Sequence, residues 1–323
     1  MTLSLLADIG GTNTRVALAN GRIVLQPSIR RFSNAAYKAK GQDIGDILRD
    51  YLASCGEAVS GLCVAAAGPV QNGVATMTNL AWSMDAPMLS AATGATKIEI
   101  LNDLQAQGHA LGHIADGHLR RVVDGPQTSG TMLVVGLGTG VNAAPVHGSG
   151  AGRLVPASEC GHVNMPVRTA EDLALAQFIT DLLHSRAENG HPGVEEVLSG
   201  RGLANLYAFA AAQAGSDSRL ASAEVLAAVA AEDAIATQAA QLYTRILGQF
   251  LADLALVHLP FGGIYLIGGM SRAMMPSFAR FGLSQHFRED RRIDLLTRDF
   301  SVQVVEDDYA ALTGCAAWLA AQG

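Results

Sequence analysis

Charge is scarce in this chain of 323 residues. Only 16% of the side chains are Asp, Glu, Lys or Arg, and no long run of one sign occurs. The 29 acids outnumber the 22 Lys and Arg, for a formal net charge of −7. That balance argues against a nucleic-acid partner, which would need a basic patch. Cysteine is also sparse. Cys55, Cys63, Cys160 and Cys315 are the four, none sits in a C-x-x-C pair, and their spacing forms no disulfide framework. That usage fits free thiols in a reducing compartment, so a cytoplasmic location is expected. Uninterrupted apolar runs are lacking too. The most apolar late stretch, Leu251–Gly269, is broken by Asp253, His258, Pro260 and glycines, which argues against a membrane span. The N-terminal run has no basic flank and is cut by Asp8, so it does not read as a signal peptide.

What remains is a chain that is 49% hydrophobic and carries 35 glycines, long enough for two domains. Its organising stretch is Leu3–Asn20, LSLLADIGGTNTRVALAN: two β-favouring runs joined by Gly10 and Gly11, a predicted hairpin. Glycines let successive backbone N–H groups point into one concavity, which suits phosphate. Thr12 and Asn13 can add donors and Arg15 charge. Asp8 beside such a site makes sense facing a cation such as hydrated Mg²⁺. Thr131–Val146, TMLVVGLGTGVNAAPV, repeats the layout with Gly138, Thr139 and Gly140 at its tip, a second phosphate hairpin and a sign of duplicated architecture. A dinucleotide fingerprint fails here, because position 141 lacks the third glycine and Pro145 forbids the helix. Gly263–Met270 is a third strand ending in paired glycines, Gly268 and Gly269, suited to the adenosine end of a nucleotide.

Between these lie the remaining elements. A helix is expected over Gly41–Leu52, a buried strand over Gly61–Ala67, and an Asn72-Gly73 hairpin turn. Thr78–Trp82 is loop-like. Lys97–Leu101 is a strand ending in Asn102-Asp103, where a helix begins. Asp103 thus sits at a strand's carboxyl end, where α/β folds bind ligands, although either residue could be a helix N-cap. Arg120–Gly130 is the best linker candidate. Val155–Pro166 and Glu188–Ser199 are polar loops holding Glu159, His162, His191, Glu195 and Glu196. Thr169 to Asp172 resembles a capping box opening a helix through Leu183. Ile235 to Val257 repeats at helical spacing as one long core helix. Val302–Val305 is a final strand and Tyr309–Ala321 an apolar helix that must pack on something. His109 and His113, four apart, read as a solvated helix face rather than a metal pair. The two Glu-x-x-His pairs, Glu159/His162 and Glu188/His191, lie in glycine-containing loops, unlike the helix-borne pairs of di-metal proteins.

Two phosphate turns, a nucleoside-type strand end, an acid at a strand end and loops of Glu, His and Asn suit phosphoryl transfer to a polyol. Carboxylates and amides match sugar hydroxyls, and the transfer needs positioning, charge stabilisation and a base, for which Asp103 is the candidate.

The motifs LADIGGTNTRVAL, AAAGPV with TNLAW, LNDLQAQGHAL, VVGLGTGV, ECGHV, EEVLSGRGLANLY and LIGGM resemble the bacterial glucokinases of the hexokinase-type, actin-like ATPase superfamily, from Leu6 to Met270. The resemblance implies an α/β fold of two actin-like ATPase (ribonuclease H-like) domains with a cleft that closes around the sugar. The expected domains are 1–112 plus 304–323, small, and 113–303, large. It implies an enzyme, an ATP-dependent kinase of D-glucose at the 6-hydroxyl, with Mg²⁺ bound alongside the nucleotide and a homodimeric state. By position, Asp103 resembles the base. Asn79, Asn102, Asp103, Glu159, His162 and Glu195 resemble sugar contacts, with Glu196 the alternative to Glu195. Asp8, Gly10, Gly11, Thr12, Asn13, Gly138, Thr139, Gly140, Gly268 and Gly269 resemble the nucleotide contacts. Asn142 and Cys160 stand where glycines are usual, and Asp307-Asp308-Tyr309 departs from the commoner wording. The zinc cysteines of repressor-like relatives are absent, and no DNA-binding segment is expected before the first hairpin. A kinase of another hexose, or a binding module without turnover, are the alternatives.

Overall fold

Side chains alternate along β1 (Leu3–Ile9), so Leu5, Ala7 and Ile9 enter one core and Leu6 another. In this computed structural model, residues 3–77, 80–188, 190–289 and 299–323 are described. The chain forms two units: Met1–Asp116 with Val146–Ala157 and Asp307–Gly323, and Gly117–Pro145 with Ser158–Glu306.

In the first unit, β1 pairs antiparallel with β2 (Asn13–Asn20), from Ser4↔Ala19 to Ile9↔Thr14, which is the expected glycine hairpin. β3 (Ile23–Val24) and β4 (Arg30–Ser33) flank β2, while β5 (Val59–Ala66) and β9 (Lys97–Asn102) extend the sheet in parallel, giving the order β3-β2-β1-β5-β9. A small meander of β6 (Val70–Gln71), β7 (Val74–Met77) and β8 (Trp82–Met84) follows β5. Asn72 and Gly73 connect its first pair with φ of 51° and 75°, as a two-residue Asn-Gly turn demands. Helix α1 is Asn34–Lys38. Helix α2 (Ile44–Cys55) starts later than the apolar spacing suggests, because Asp43 caps it: its carboxylate takes the Gly45 N–H while Asp46 takes the Asp43 N–H. Helix α3 (Ala86–Thr93) completes that face. The opposite face is covered by α4 (Asp103–Ala110) and the C-terminal helix (Ala310–Ala321), which explains the apolar tail. These two helices cross closely: a Cβ on Gly314 would overlap the Ala106 carbonyl oxygen. Residues 146–157 also pack with this unit, where Gln105 donates to Val155 O (3.0 Å) and Arg153 to His109 O (3.0 Å).

The second unit is built on the order β10-β14-β13-β11-β12, with β10 (Leu119–Val123), β11 (Met132–Leu137), β12 (Val141–Val146), β13 (Ile264–Ile267) and β14 (Val302–Val305). The stretch Arg120–Gly130 is therefore only partly a connector: its first residues are an edge strand antiparallel to β14, with Val123 buried and Arg120 and Arg121 exposed. Pro145 is accommodated because β12 is the other edge. Helices α5 (Ala170–Ser185), α6 (Glu195–Leu198), α7 (Gly200–Gln213), α8 (Ser222–Ala230), α9 (Ala234–His258), α10 (Gly269–Arg280) and α11 (Leu283–Phe287) form the rest. Thr169 and Asp172 make the anticipated capping box on α5. The long helix α9 buries Leu242, Ile246, Leu247, Phe250 and Leu251 in the main core, as its spacing requires. No described helix is long and apolar enough to cross a membrane.

Candidate functional site

The first glycine turn is braced from below. Gly10 N–H donates to Asn13 O (3.0 Å) to close the turn. Asn34 is fully buried beneath it, with its amide donating to Gly10 O (2.8 Å), its carbonyl accepting from the Thr14 hydroxyl (2.7 Å) and its N–H donating to Thr12 O (3.0 Å). Gly11 and Thr12 are left exposed and Asn13 partly so. Nothing in the sequence marks Asn34, because it belongs to no motif and lies 24 residues from Gly10. Arg15 does not stand free to meet a phosphate. It pairs with Asp8 at 3.0 Å, reaching across the hairpin from the directly opposed position.

Asp8 and Asp103 occupy the carboxyl ends of two strands in this sheet. Burial pushes the Asp8 carboxyl up, and the Arg15 guanidinium pulls it partly back. Asp103 is the first residue of α4 and accepts the Leu104 N–H (2.8 Å). Its carboxyl is pushed up to about 6, mainly by burial and further by the negative charge of Asp8, against the opposing pull of that N–H. Asn102 is the N-cap: its carbonyl accepts from Leu104 N–H (3.0 Å), its amide donates to Gly68 O (3.0 Å), and Gln105 returns the bond by accepting the Asn102 N–H (3.1 Å). The cap reading and the strand-end reading thus fall on adjacent residues. Gly68 is required at this corner, since a Cβ there would overlap the Thr76 carbonyl oxygen.

In the second unit the turn from Gly138 to Gly140 is fixed by Gly138 N–H donating to Gly140 O (2.9 Å) and by Gly200 N–H donating to Gly138 O (2.8 Å). The second bond sets the N-terminus of α7 against the turn. Gly268, at φ 105°, lies so close to Leu137 that a side chain there would collide with its carbonyl. Gly269 opens α10 and is exposed, as is Thr139. Glu195 underlies the same turn. It accepts the Val141 N–H (3.0 Å) and fills the space beneath Gly140, where a Cβ would sit 2.8 Å from its oxygen. Glu196 lines the same cavity and shares its arginine: Arg201 is 2.7 Å from Glu196 and 3.7 Å from Glu195. Glu195, His162, Glu188, His191 and Arg201 line one cavity of about 360 Å³. Glu159 lies on the exposed turn leading to it, with its carbonyl accepting the His162 N–H (3.1 Å).

The two departures from glycine meet here. The Asn142 amide donates to Ser158 O, and its carbonyl accepts from Ala143 N–H (2.8 Å) and Cys160 N–H (3.2 Å). Asn142 therefore ties β12 to the Glu159–His162 turn. Burial pushes the Cys160 thiol up. His109 and His113 do not form a solvated helix face: His109 is buried against Trp318, and α4 ends at Ala110 before His113. Asn79 lies outside the described residues.

The chain as a whole is similar to a known group of proteins. The family model described as glucokinase matches residues 5–322. The glucokinase of Yersinia pestis (strain Pestoides F) is 30% identical over 325 residues, covering 98% of this chain and 96% of the relative. Among solved structures, a glucokinase from an Antarctic psychrotroph superposes with a TM-score of 0.86 at 25% identity, covering 99% of both chains. A ROK family glucokinase from Streptomyces griseus, in complex with glucose and AMPPNP, shares the fold with a TM-score of 0.66 at 23% identity over 99% of this chain and 100% of its own. The fold is that of the actin-like ATPases. With nearly its whole length matched, the chain belongs to the glucokinase family.

Proposed function

We propose that this enzyme transfers the γ-phosphoryl group of ATP to the 6-hydroxyl of D-glucose, with Asp103 as general base. The observation that carries this reading is the carboxyl of Asp103 at the β9–α4 corner, held at about 6 by burial and by Asp8. A carboxylate with that affinity is ionised at neutral pH yet basic enough to accept a proton in the transition state. As the sugar oxygen bonds to the γ-phosphorus, its proton passes to Asp103 and the bond to the β-phosphate oxygen breaks, releasing ADP. Asn102 fixes the corner and neighbours the sugar. Asn79, Glu159, His162 and Glu195 are assigned to the ring hydroxyls. Gly10, Gly11, Thr12 and Asn13, with Gly138, Thr139 and Gly140, are assigned to the phosphates, and Gly268 and Gly269 to the adenosine.

Mg²⁺ fits the same corner. Asp8 and Asp103 place two carboxylates in mutual repulsion, against the single guanidinium recorded beside Asp8. Asp8 and Asp103 are the groups that would hold the ion through its water shell, and it would neutralise charge on the phosphates. The relative with glucose and AMPPNP supports the pairing of sugar and ATP. A homodimer in the cytoplasm is the accompanying proposal, tested by light scattering and fractionation.

The decisive assay is ADP release from Mg-ATP with glucose, fructose, mannose, N-acetylglucosamine or no sugar. Release with glucose alone supports the reading. Release with another hexose overturns the substrate, and none with any sugar overturns the activity.

A further inference from the structure

A basic pocket lies within the first unit, at the opposite end of α4 from Asp103. Arg22, His109, His113, Ser149, Arg153 and Trp318 line a cavity of about 190 Å³, enough for roughly six waters. Among the described residues no carboxylate lines it, and neither Arg22 nor Arg153 is ion-paired. The Arg153 Nη1 group donates to the carbonyls of His109 (3.0 Å) and Leu111 (2.6 Å), which fixes the guanidinium at the end of α4. Its Nε is buried and has no hydrogen-bond partner. A buried donor on a charged group that is left without a partner is destabilising, so its retention calls for an acceptor. The positive field converges on the two imidazoles. Burial and Arg153 hold His109 down to about 4, and burial with Arg153 and Arg22 holds His113 below its ordinary value. Trp318 supplies the apolar wall, tilted 40° against His109 at 4.4 Å between centroids, its indole N–H held by Glu99 at 3.0 Å.

We propose that this pocket is an anion site that takes the phosphate group of a small phosphate ester, held by Arg22, Arg153 and the Ser149 hydroxyl, with Trp318 against its short carbon stem. Guanidinium forks match phosphate oxygens, and a dianion satisfies two of them at once. The site is separate from the residues assigned to ATP and glucose and does not depend on that assignment.

The test uses the full chain and Trp318 fluorescence, with calorimetry of the same titrations reading binding whether or not the indole responds. The probes are inorganic phosphate and phosphoglycolate, with chloride at matched ionic strength as control. Saturable binding of phosphate, tighter for phosphoglycolate, is expected, with the fluorescence change lost in Trp318→Phe. Equal affinity for the two probes would overturn the stem contact. Arg22 is exposed and makes no hydrogen bond among the described residues, so Arg22→Gln should leave folding intact and weaken binding roughly tenfold. Ser149→Ala, which removes the hydroxyl assigned to the phosphate and breaks no helix-cap bond, serves as the second variant and should also weaken it. The phosphate turns would bind the same probes without heeding these substitutions. Calorimetry that shows no saturable binding, or binding unchanged in both variants, overturns the proposal.

Discussion

Replacing Asp103 with Asn should stop turnover and stabilise the protein, and both effects have one cause. An aspartate that is ordinarily ionised above about 3.8 is held at about 6 in the fold. The folded chain therefore binds the proton more tightly than the unfolded chain does. The resulting cost to stability is absent below pH 3.8, grows as pH rises, and is complete above pH 6. At about 1.4 kcal/mol for each tenfold change in proton affinity, it reaches about 3 kcal/mol at neutral pH. Water reaches part of the carboxyl, and its charge is favoured by the N-terminus of α4 and the Leu104 N–H, so about 2 kcal/mol is the working figure. Asn cannot ionise and keeps an acceptor for that N–H, so Asp103→Asn escapes the cost. Urea unfolding of both proteins at pH 8 and at pH 5 measures it. The variant should unfold at higher urea at pH 8, with the gap narrowing at pH 5. Its turnover should fall by about 10²–10⁴-fold, and the wild-type kcat/KM should decline as pH drops through about 6. A variant less stable than wild type at pH 8, or a gap that ignores pH, would refute the account of Asp103 as a strained, proton-hungry base.

Other expectations follow from local packing and exposure. Gly314→Ala forces α4 and the C-terminal helix apart and should cost about 3 kcal/mol or more, read as a lower melting temperature. Asn142→Gly removes the ties to Ser158 and Cys160 and should raise KM for the sugar about tenfold while KM for ATP changes little. Gly140→Ala drives the Glu195 carboxylate off the Val141 N–H. It should impair sugar binding in a protein that still folds, as circular dichroism and a glucose titration would show. Alkylation at neutral pH should label exposed Cys55 first and spare Cys160, whose thiol is raised by burial, leaving activity intact at one label per chain.

The sequence makes some of this architecture legible because periodicity and glycine are strong local signals. Both hairpins, the Asn72-Gly73 turn, the α5 capping box and the long α9 stripe are each specified by neighbours within a few residues. What escapes is set by distance along the chain. Asn34 reaches Gly10 from 24 positions away, and nothing local distinguishes it from a loop asparagine. The Arg15 side chain pairs with Asp8 because hairpin register opposes them, a fact of pairing rather than of composition. Polar Arg120-Arg121 looks like a connector because an exposed edge strand needs few apolar residues. The helix bearing His109 stops at Ala110, so a four-residue spacing that suggests one face ends as two different environments. Glu195 and Glu196 share Arg201 and one cavity, and it is three-dimensional placement, not local sequence, that sets Glu195 under the glycine turn.

The division of the first unit bears on how the chain comes off the ribosome. One layer of its core joins Leu6, Ala17, Cys63, Leu101 and Ala106 to Ala311, Leu312, Cys315, Ala316 and Leu319. About 190 residues separate Asp116 from Asp307, and at about 5–20 residues per second their synthesis takes roughly 10–40 s. Throughout that interval one apolar face of the nascent N-terminal sheet has α4 on it but lacks the C-terminal helix. The second unit has its own core and can finish folding first, although it begins later. Birth order and folding order are thus inverted. The wait leaves an adhesive surface open to chaperones or to neighbouring nascent chains until the final helix arrives to seal it.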